Sequence, residues 1–349
     1  MTMVILVILL LLCAGACLAQ SVVFKDAPEL KFPSYADCNS PAHWDGDCLY
    51  VFNSHGAPFR SHGPDLFGLS NTVQSRYDNE EKVASGRWIE CTVRADDGTL
   101  YGWYHNEPHG ILPGTHLTAP RIGAARSTDN GAHWVDLGII LDAPEGSLDL
   151  TAKNGYFLGG NGDFSGILDA RGEYMYLFIS TYAGDISEQG VSVARMRWTD
   201  RDKPVGAVWK YHRGSWREPG LGGHVSPLFV AKIRWQEEKP DAFWGPSIHW
   251  NTHLRRYVML MNHVNGGPDW PQDGIFWTYC RTLDDPRGWS RPSKILEAVG
   301  KIDPWYPQVI GLDSAAKETD KLCGRRARFF QHGVSKREII FLRAGEKLE

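Results

Sequence analysis

Residues 37–52 recur, without a gap, as residues 163–178: each copy opens on an aspartate (Asp37, Asp163), reaches a glycine nine residues later (Gly46, Gly172) and closes on aromatic pairs, Tyr50 with Phe52 and Tyr176 with Phe178. A carboxylate, a short apolar stretch, a turn glycine and a strand-forming aromatic run describe the two inner strands of a propeller blade. Such a unit cannot bury its own faces, so it has to be carried around an axis. The residues that open each copy then gather at one end of that axis.

After the N-terminal segment no long amphipathic helix, charge block or low-complexity linker interrupts the chain; short aromatic strands alternate with Gly, Pro, Asn and Asp turns. This is an all-β pattern. Inner hairpins fall at 37–53, 88–105, 163–181 and 244–262, with a less regular fifth unit over 306–342. The spacing predicts a five-bladed β-propeller, with outer strands at 121–127 and 133–140, 191–198 and 207–213, and 274–281 and 289–296. The last blade needs a closing strand, because an open sheet edge invites aggregation, and residues 21–32 are the segment left to supply it.

Residues 4–12 are an unbroken apolar run followed by small residues and Cys17-Leu18-Ala19, the form of a signal peptide cleaved after Ala19. The expected organisation is a signal peptide over 1–19 and a single catalytic propeller domain over 20–349, secreted or periplasmic and with no membrane association after cleavage. The chain carries 37 Lys and Arg against 41 Asp and Glu, a net charge of −4, and has no basic stretch, which excludes a nucleic-acid partner. Cleavage removes Cys13 and Cys17; of the cysteines left, Cys38 and Cys48 lie on the two strands of the first hairpin and either bridge or stand as buried thiols. There is no P-loop, dinucleotide-binding glycine fingerprint or paired CxxC, so no cofactor is expected beyond a structural ion on the propeller axis.

The run Ser127-Thr128-Asp129-Asn130-Gly131-Ala132-His133-Trp134 fits the Asp-box pattern S-x-D-x-G-x-x-W. Its physical sense is a hairpin, with Asp129 bonding turn backbone, Gly131 supplying permissive dihedrals and Trp134 packing beneath. It resembles the boxes of sialidases, where they are structural, and no catalytic role is assigned to it.

In a propeller the innermost strand starts at the funnel face and the second returns to it, so residues at those two ends converge. First-strand starts give Asp37, Glu90, Asp163, Trp244 and Tyr306; second-strand ends give Asn53 with His55, His105 with Glu107, Thr181 with Tyr182, and Asn262 with His263. Carboxylates, imidazoles and aromatic faces suit a sugar, a polar ring with apolar faces. His105, Glu107 and His109 follow an H-x-E-x-H spacing, but Pro108 breaks the helix that the zinc motif needs, so no metal site is assigned. Arg326, within Arg325-Arg326-Ala327-Arg328, either meets an acidic sugar or is solvated surface charge.

From Asp37 to about Ile310 this pattern of blades resembles the five-bladed propeller glycoside hydrolases, particularly glycoside hydrolase family 43. The resemblance implies a first-blade aspartate as general base, a third-blade aspartate that tunes the acid, and a fourth-blade glutamate before Gly-Pro as general acid. Asp37 matches the first position and Asp163 the second, but Gly245-Pro246 is preceded by Trp244. Glu90 takes the missing acid's place, with Glu107 next and Asp241 third. Hydrolysis needs one protonated carboxyl and one ionised carboxylate, and a third carboxylate nearby raises the acid's pKa. The expected function is thus a glycoside hydrolase acting on a polysaccharide or oligosaccharide, with Asp37 as base, Glu90 as acid and Asp163 as tuning group, by an inverting route. Asn53, His55, His105, Glu107, Tyr182, Trp244, His263, Tyr306 and Arg326 are the expected sugar contacts. Two other classes stay open: a polysaccharide lyase using histidine with Tyr182 or Tyr306 on a uronate, and a carbohydrate-binding propeller without turnover.

Overall fold

The computed structural model describes residues 19–80, 85–267, 270–297 and 305–348; apart from Ala19, the expected signal peptide lies outside them. The described strands form five sheets arranged as the blades of a propeller. The first blade contains Ala42–Asp45, Cys48–Ser54, Pro58–Gly63 and Ser70–Gln74, from the axis outwards. The second runs Arg87–Arg94, Leu100–Asn106, Arg121–Ser127 and His133–Leu141, with the short Arg76–Tyr77 on its outer edge. The third runs Asn161–Leu168, Tyr174–Thr181, Gly190–Arg197, Val208–His212 and Ser215–Pro219. The fourth runs Asp241–Asn251, Arg256–Asn265, Gln272–Cys280 and Ser293–Leu296, and the fifth Gln308–Gly311, Arg326–Gln331 and Val334–Leu342. Ser21–Lys31 closes the ring by pairing antiparallel with the last of these, Ser21 opposite Leu342.

The inner hairpins thus lie where the repeat places them, and their turns explain the repeat's glycines. Gly46 and Gly172 have φ of 56° and 68°, a left-handed conformation that costs glycine nothing. The fifth unit departs from the simple reading. Its inner strand is short, and the next segment, Leu322–Cys323, pairs in parallel with Trp250–Asn251 of the fourth blade before the chain returns. A second correction concerns Asp37, which lies in the loop ahead of the first strand. Its backbone N–H bonds Ser54 O at 2.8 Å, which ties the loop to the end of the second strand. Cys38 and Cys48 are both free thiols: Cys38 sits at the funnel end of the hairpin, whereas Cys48 pairs with Asp45 beside its turn.

Faces between neighbouring blades hold the core. Phe52 and Ile89 meet between the first and second blades, Trp103 and Phe164 between the second and third, Phe178 and Met259 between the third and fourth. Leu260 and Phe329 pack between the fourth and fifth, and Val51 and Phe330 between the fifth and first. Each such side chain contributes about 1.5–3 kcal/mol when fully buried. The 127–134 turn lies on the outer strands of the second blade: Ser127 Oγ and Asp129 Oδ1 accept the N–H groups of Gly131 and His133 at 2.9 Å, above a buried Trp134.

Candidate active site on the propeller axis

Three inner strands lose register near their funnel ends: between Ile89 and Cys91, between Gly162 and Phe164, and between Trp244 and Ser247. The residues left out of the ladder are Glu90, Asp163 and the Gly245-Pro246 pair. A β-bulge of this kind turns an extra residue out of the pleat and re-aims it. Asp163 and Gly245 are left-handed, with φ of 41° and 56°, and so is Tyr306, just ahead of the fifth inner strand, with φ of 53°. For a non-glycine residue this conformation costs on the order of 1 kcal/mol and persists only when its surroundings hold it.

What holds it is a relay from blade to blade. Ser54 Oγ accepts the N–H of Ile89 at 3.0 Å, His105 Nδ1 that of Asp163 at 3.1 Å, Ser180 Oγ that of Gly245 at 3.0 Å, and Asn262 Oδ1 that of Tyr306 at 3.0 Å. Each acceptor lies toward the funnel end of the second strand of one blade, and each donor lies toward that end of the next blade's first strand or just ahead of it. The same contacts that join the blades therefore fix the backbone at the axis.

Glu90 lies deepest and is fully buried. Its Oε2 accepts the N–H of Phe164 at 3.1 Å, and its Oε1 is 3.2 Å from His105 Nδ1. Burial raises its pKa, against the opposing pull of His105. His105 stands directly above, with Nε2 3.1 Å from Glu107 Oε1. Burial disfavours its charged form, but Glu107 and Glu90 outweigh that and raise its pKa well above the ordinary histidine range. Because Nδ1 also meets the Asp163 N–H, one proton serves the gap between Nδ1 and Glu90 Oε1, and the pair keeps it to a higher pH than either group would alone.

Asp163 is buried beside them, with Oδ1 4.0 Å from His105 Nδ1. Burial raises its pKa, while His105 and the Tyr182 hydroxyl, which donates to Oδ2, pull it down. Asp37 faces this group from the first blade, 3.5 Å from His55 Nδ1 and 3.9 Å from His332 Nε2. Burial raises Asp37 too, with both histidines opposing. Exposure separates the carboxylates: the side chains of Asp37 and Glu107 are 31% and 24% open to solvent, against 5% for Asp163 and none for Glu90.

The axis thus gathers Asp37, Glu90, Asp163, His55, His105, Glu107, Tyr182 and Tyr306 from the sequence expectations. Tyr306 is buried rather than offered as a stacking face, with its ring against Trp244, Trp305 and His332. Four expected sugar contacts are corrected. Asn53 is fully buried and donates to Ser40 Oγ at 3.1 Å. Trp244 turns back at its bulge into a cluster with Trp270 and Trp305, its indole N–H bonded to Gln272 Oε1 at 3.0 Å. His263 is buried between Asp273 and Asp241, at 2.9 and 3.2 Å, within the fourth blade. Arg326 pairs with Glu338 at 2.7 Å, at the end of its strand opposite to the one that leads to His332.

Sequence reasoning missed Ser54, Ser180, His332 and Tyr35, whose ring packs against His55 and His332. His332 follows the second strand of the fifth blade, the position that supplied His105 in the second. The same rule finds it once that strand is placed.

Glu90, His105 and Asp163 are the residues that could face a cation together: one ligand atom from each lies within 4.8 Å of the others. Each side chain already has a protein partner, respectively the Phe164 N–H, Glu107 and the Tyr182 hydroxyl.

No protein-family profile and no curated protein sequence matches the chain. Solved structures do. One assigned as an exo-β-1,3-galactanase from Bifidobacterium bifidum is 13% identical with a TM-score of 0.51, over 89% of this chain and 91% of that one. A thermostable family-43 glycoside hydrolase is 12% identical with a TM-score of 0.49, over 89% and 91%. The catalytic domain of a GH62 α-L-arabinofuranosidase from Coprinopsis cinerea is 10% identical with a TM-score of 0.47, over 93% and 97%. At such identities the likeness conveys the fold.

Proposed function

We propose that the protein is an exported glycoside hydrolase, secreted or periplasmic, that cleaves a polysaccharide or oligosaccharide at the funnel end of its propeller axis. One observation carries the reading: two carboxylates open to solvent, Asp37 and Glu107, face a buried third, Asp163, across a histidine that holds a proton. Asp37 is the general base, taking a proton from water as its oxygen attacks the anomeric carbon. Glu107 is the general acid, giving a proton to the departing sugar oxygen and drawing its replacement from His105 Nε2 beneath it. Asp163, buried beside the imidazole, is the third carboxylate that raises the cost of further negative charge on the axis. The acid thus passes from Glu90, which no leaving group can reach, to its neighbour above the imidazole. The route is inverting, with water admitted between base and sugar.

A lyase is less well supported, because the Tyr182 hydroxyl is engaged by Asp163 and Tyr306 is buried. A binding module gives no reason to hold a buried carboxylate, Asp163, on left-handed backbone. The test is a panel of neutral and acidic polysaccharides in oxygen-18 water, with products followed by mass spectrometry. Hydrolysis places one heavy oxygen on each new reducing end, and the first-formed anomer, read by NMR, reports inversion. Unsaturated ends would replace this reading with elimination, and retention on a glycan without products would replace it with binding.

A further inference from the structure

At the end of the molecule opposite the funnel, arginines from separate strand ends of the fourth and fifth blades come together. Arg255 closes the inner hairpin turn of the fourth blade and Arg256 opens its second strand. Arg281 follows Cys280, which pairs with Tyr257, and so stands beside Arg256 on the neighbouring strand. Arg343 follows the last strand of the fifth blade and donates from Nε to His253 O at 2.9 Å, two residues before Arg255. No run of the sequence announces this group, and the chain as a whole carries a net charge of −4.

Three observations set these arginines apart from ordinary surface charge. None of the four has an ion pair among the described residues; Arg256 and Arg343 bond only main-chain carbonyls, those of Arg255 at 2.8 Å and His253, which leaves their charge unbalanced. The carboxylate that enters the group, Glu346, is already engaged: it accepts the Arg343 N–H at 2.8 Å and pairs with His253 and Arg325 at 2.7 and 2.9 Å, and these hold its pKa down at about 2. Arg255 has φ of 55°, where the inner turns of the first three blades have glycine, Gly46, Gly98 and Gly172. A side chain in that conformation is strained, and like charges side by side on neighbouring strands repel. An anion bound across the group relieves the repulsion.

We propose that this face is a second glycan-binding surface, which holds the protein on an acidic polysaccharide while the funnel at the other end stays open. The guanidinium fork matches a carboxylate or sulfate group with paired N–H donors, and a polymer presents such groups in succession, so several arginines act at once. The choice of a glycan as the polyanion rests on the hydrolase reading; the surface itself needs no turnover.

The test is binding of the full chain to polygalacturonate by biolayer interferometry, in the Asp37→Asn background so that hydrolysis does not consume the polymer. Binding is expected at low salt, lost at high salt, and weakened about tenfold by Arg256→Gln combined with Arg281→Gln. Arg213→Gln combined with Arg217→Gln, the same change of charge at the outer edge of the third blade, leaves binding as it is. Arg255→Gly also weakens binding, and because glycine suits that φ it does not lower the urea midpoint, which separates a lost contact from a lost fold. Absence of binding at low salt, binding untouched by the patch variants, equal weakening by the third-blade pair, or tighter binding to phosphatidylglycerol vesicles than to polygalacturonate would each overturn the proposal. Intact binding by a native chain that hydrolyses nothing would remove the hydrolase reading and keep the surface.

Discussion

Glu107 and Glu90 bracket the same imidazole, at 3.1 and 3.2 Å, and only the upper one meets solvent. Their amides should then fail in different ways. Glu107→Gln is expected to lower turnover of a natural glycan by about 10²–10⁴-fold, the usual worth of a general acid. It spares an aryl glycoside whose leaving group needs no proton, whereas Asp37→Asn loses both substrates. Glu90→Gln keeps shape but removes a carboxylate that raises His105, so the His105 ring protons, followed by NMR, titrate at lower pH. An unmoved titration would separate Glu90 from His105. Asp37 and Asp163 were legible because the repeat marks them. Ser54 and Ser180 were not: the sequence pointed to Asn53 and Thr181, one residue away. Alternate residues of a strand face opposite ways, and composition alone does not tell which phase faces the axis.

The bulge is the element that makes the site, and no residue type announces it. Hairpin turns were readable because glycine is almost obligatory at φ of 56° or 68°, as at Gly46 and Gly172. A skipped ladder position has no such signature. At Trp244 it decides the outcome, turning the indole into the aromatic cluster and leaving Gly245 and Pro246 at the axis. The parallel insertion of Leu322–Cys323 was equally silent, since two residues carry no periodicity.

Gly162, beside the third-blade bulge, gives this a test. A Cβ there would lie 2.7 Å from His105 Cε1 and 2.8 Å from Pro120 Cβ. Gly162→Ala is expected to destabilise by about 1–3 kcal/mol through overpacking and to lower kcat more than it changes KM, by displacing His105. Gly172→Ala strains the turn at the far end of the same hairpin by about 1–2 kcal/mol. It leaves turnover alone. Urea midpoints with steady-state kinetics compare the two, and equal turnover in both would detach the bulge from the chemistry.

At the scale of the whole molecule, Ser21–Lys31 joins the N-terminal segment to the last strand, so the blades share one closed ring. The need for such a strand was legible from the count of blades; its register was not. Buried titratable groups in this ring give stability a pH dependence with two opposed arms. Burial lowers His43 to about 4 and His249 to about 3. Both stay neutral in the fold while the unfolded chain takes up protons near pH 6.5. Between those values the unfolded state binds more protons, so stability falls as the pH drops, by up to about 1.4 kcal/mol per pH unit for each histidine. Glu90 and Asp163 act the other way. Burial raises their folded pKa values, so the folded state holds protons that the unfolded carboxyls release near pH 4, and that stabilisation is lost as the pH rises through the raised values. Urea midpoints measured against pH should therefore pass through a maximum on the mildly acidic side of neutrality. His249 has no partner for either ring nitrogen among the described residues, so His249→Leu removes a proton site without orphaning a neighbour and flattens the acid arm. Glu90→Gln flattens the neutral arm and, because its proton difference begins near pH 4 and opposes the histidines there, steepens the acid one. A midpoint that climbs steadily toward low pH would mean that the histidines are protonated in the fold, and one unaffected by Glu90→Gln would mean that Glu90 is ionised on the axis throughout.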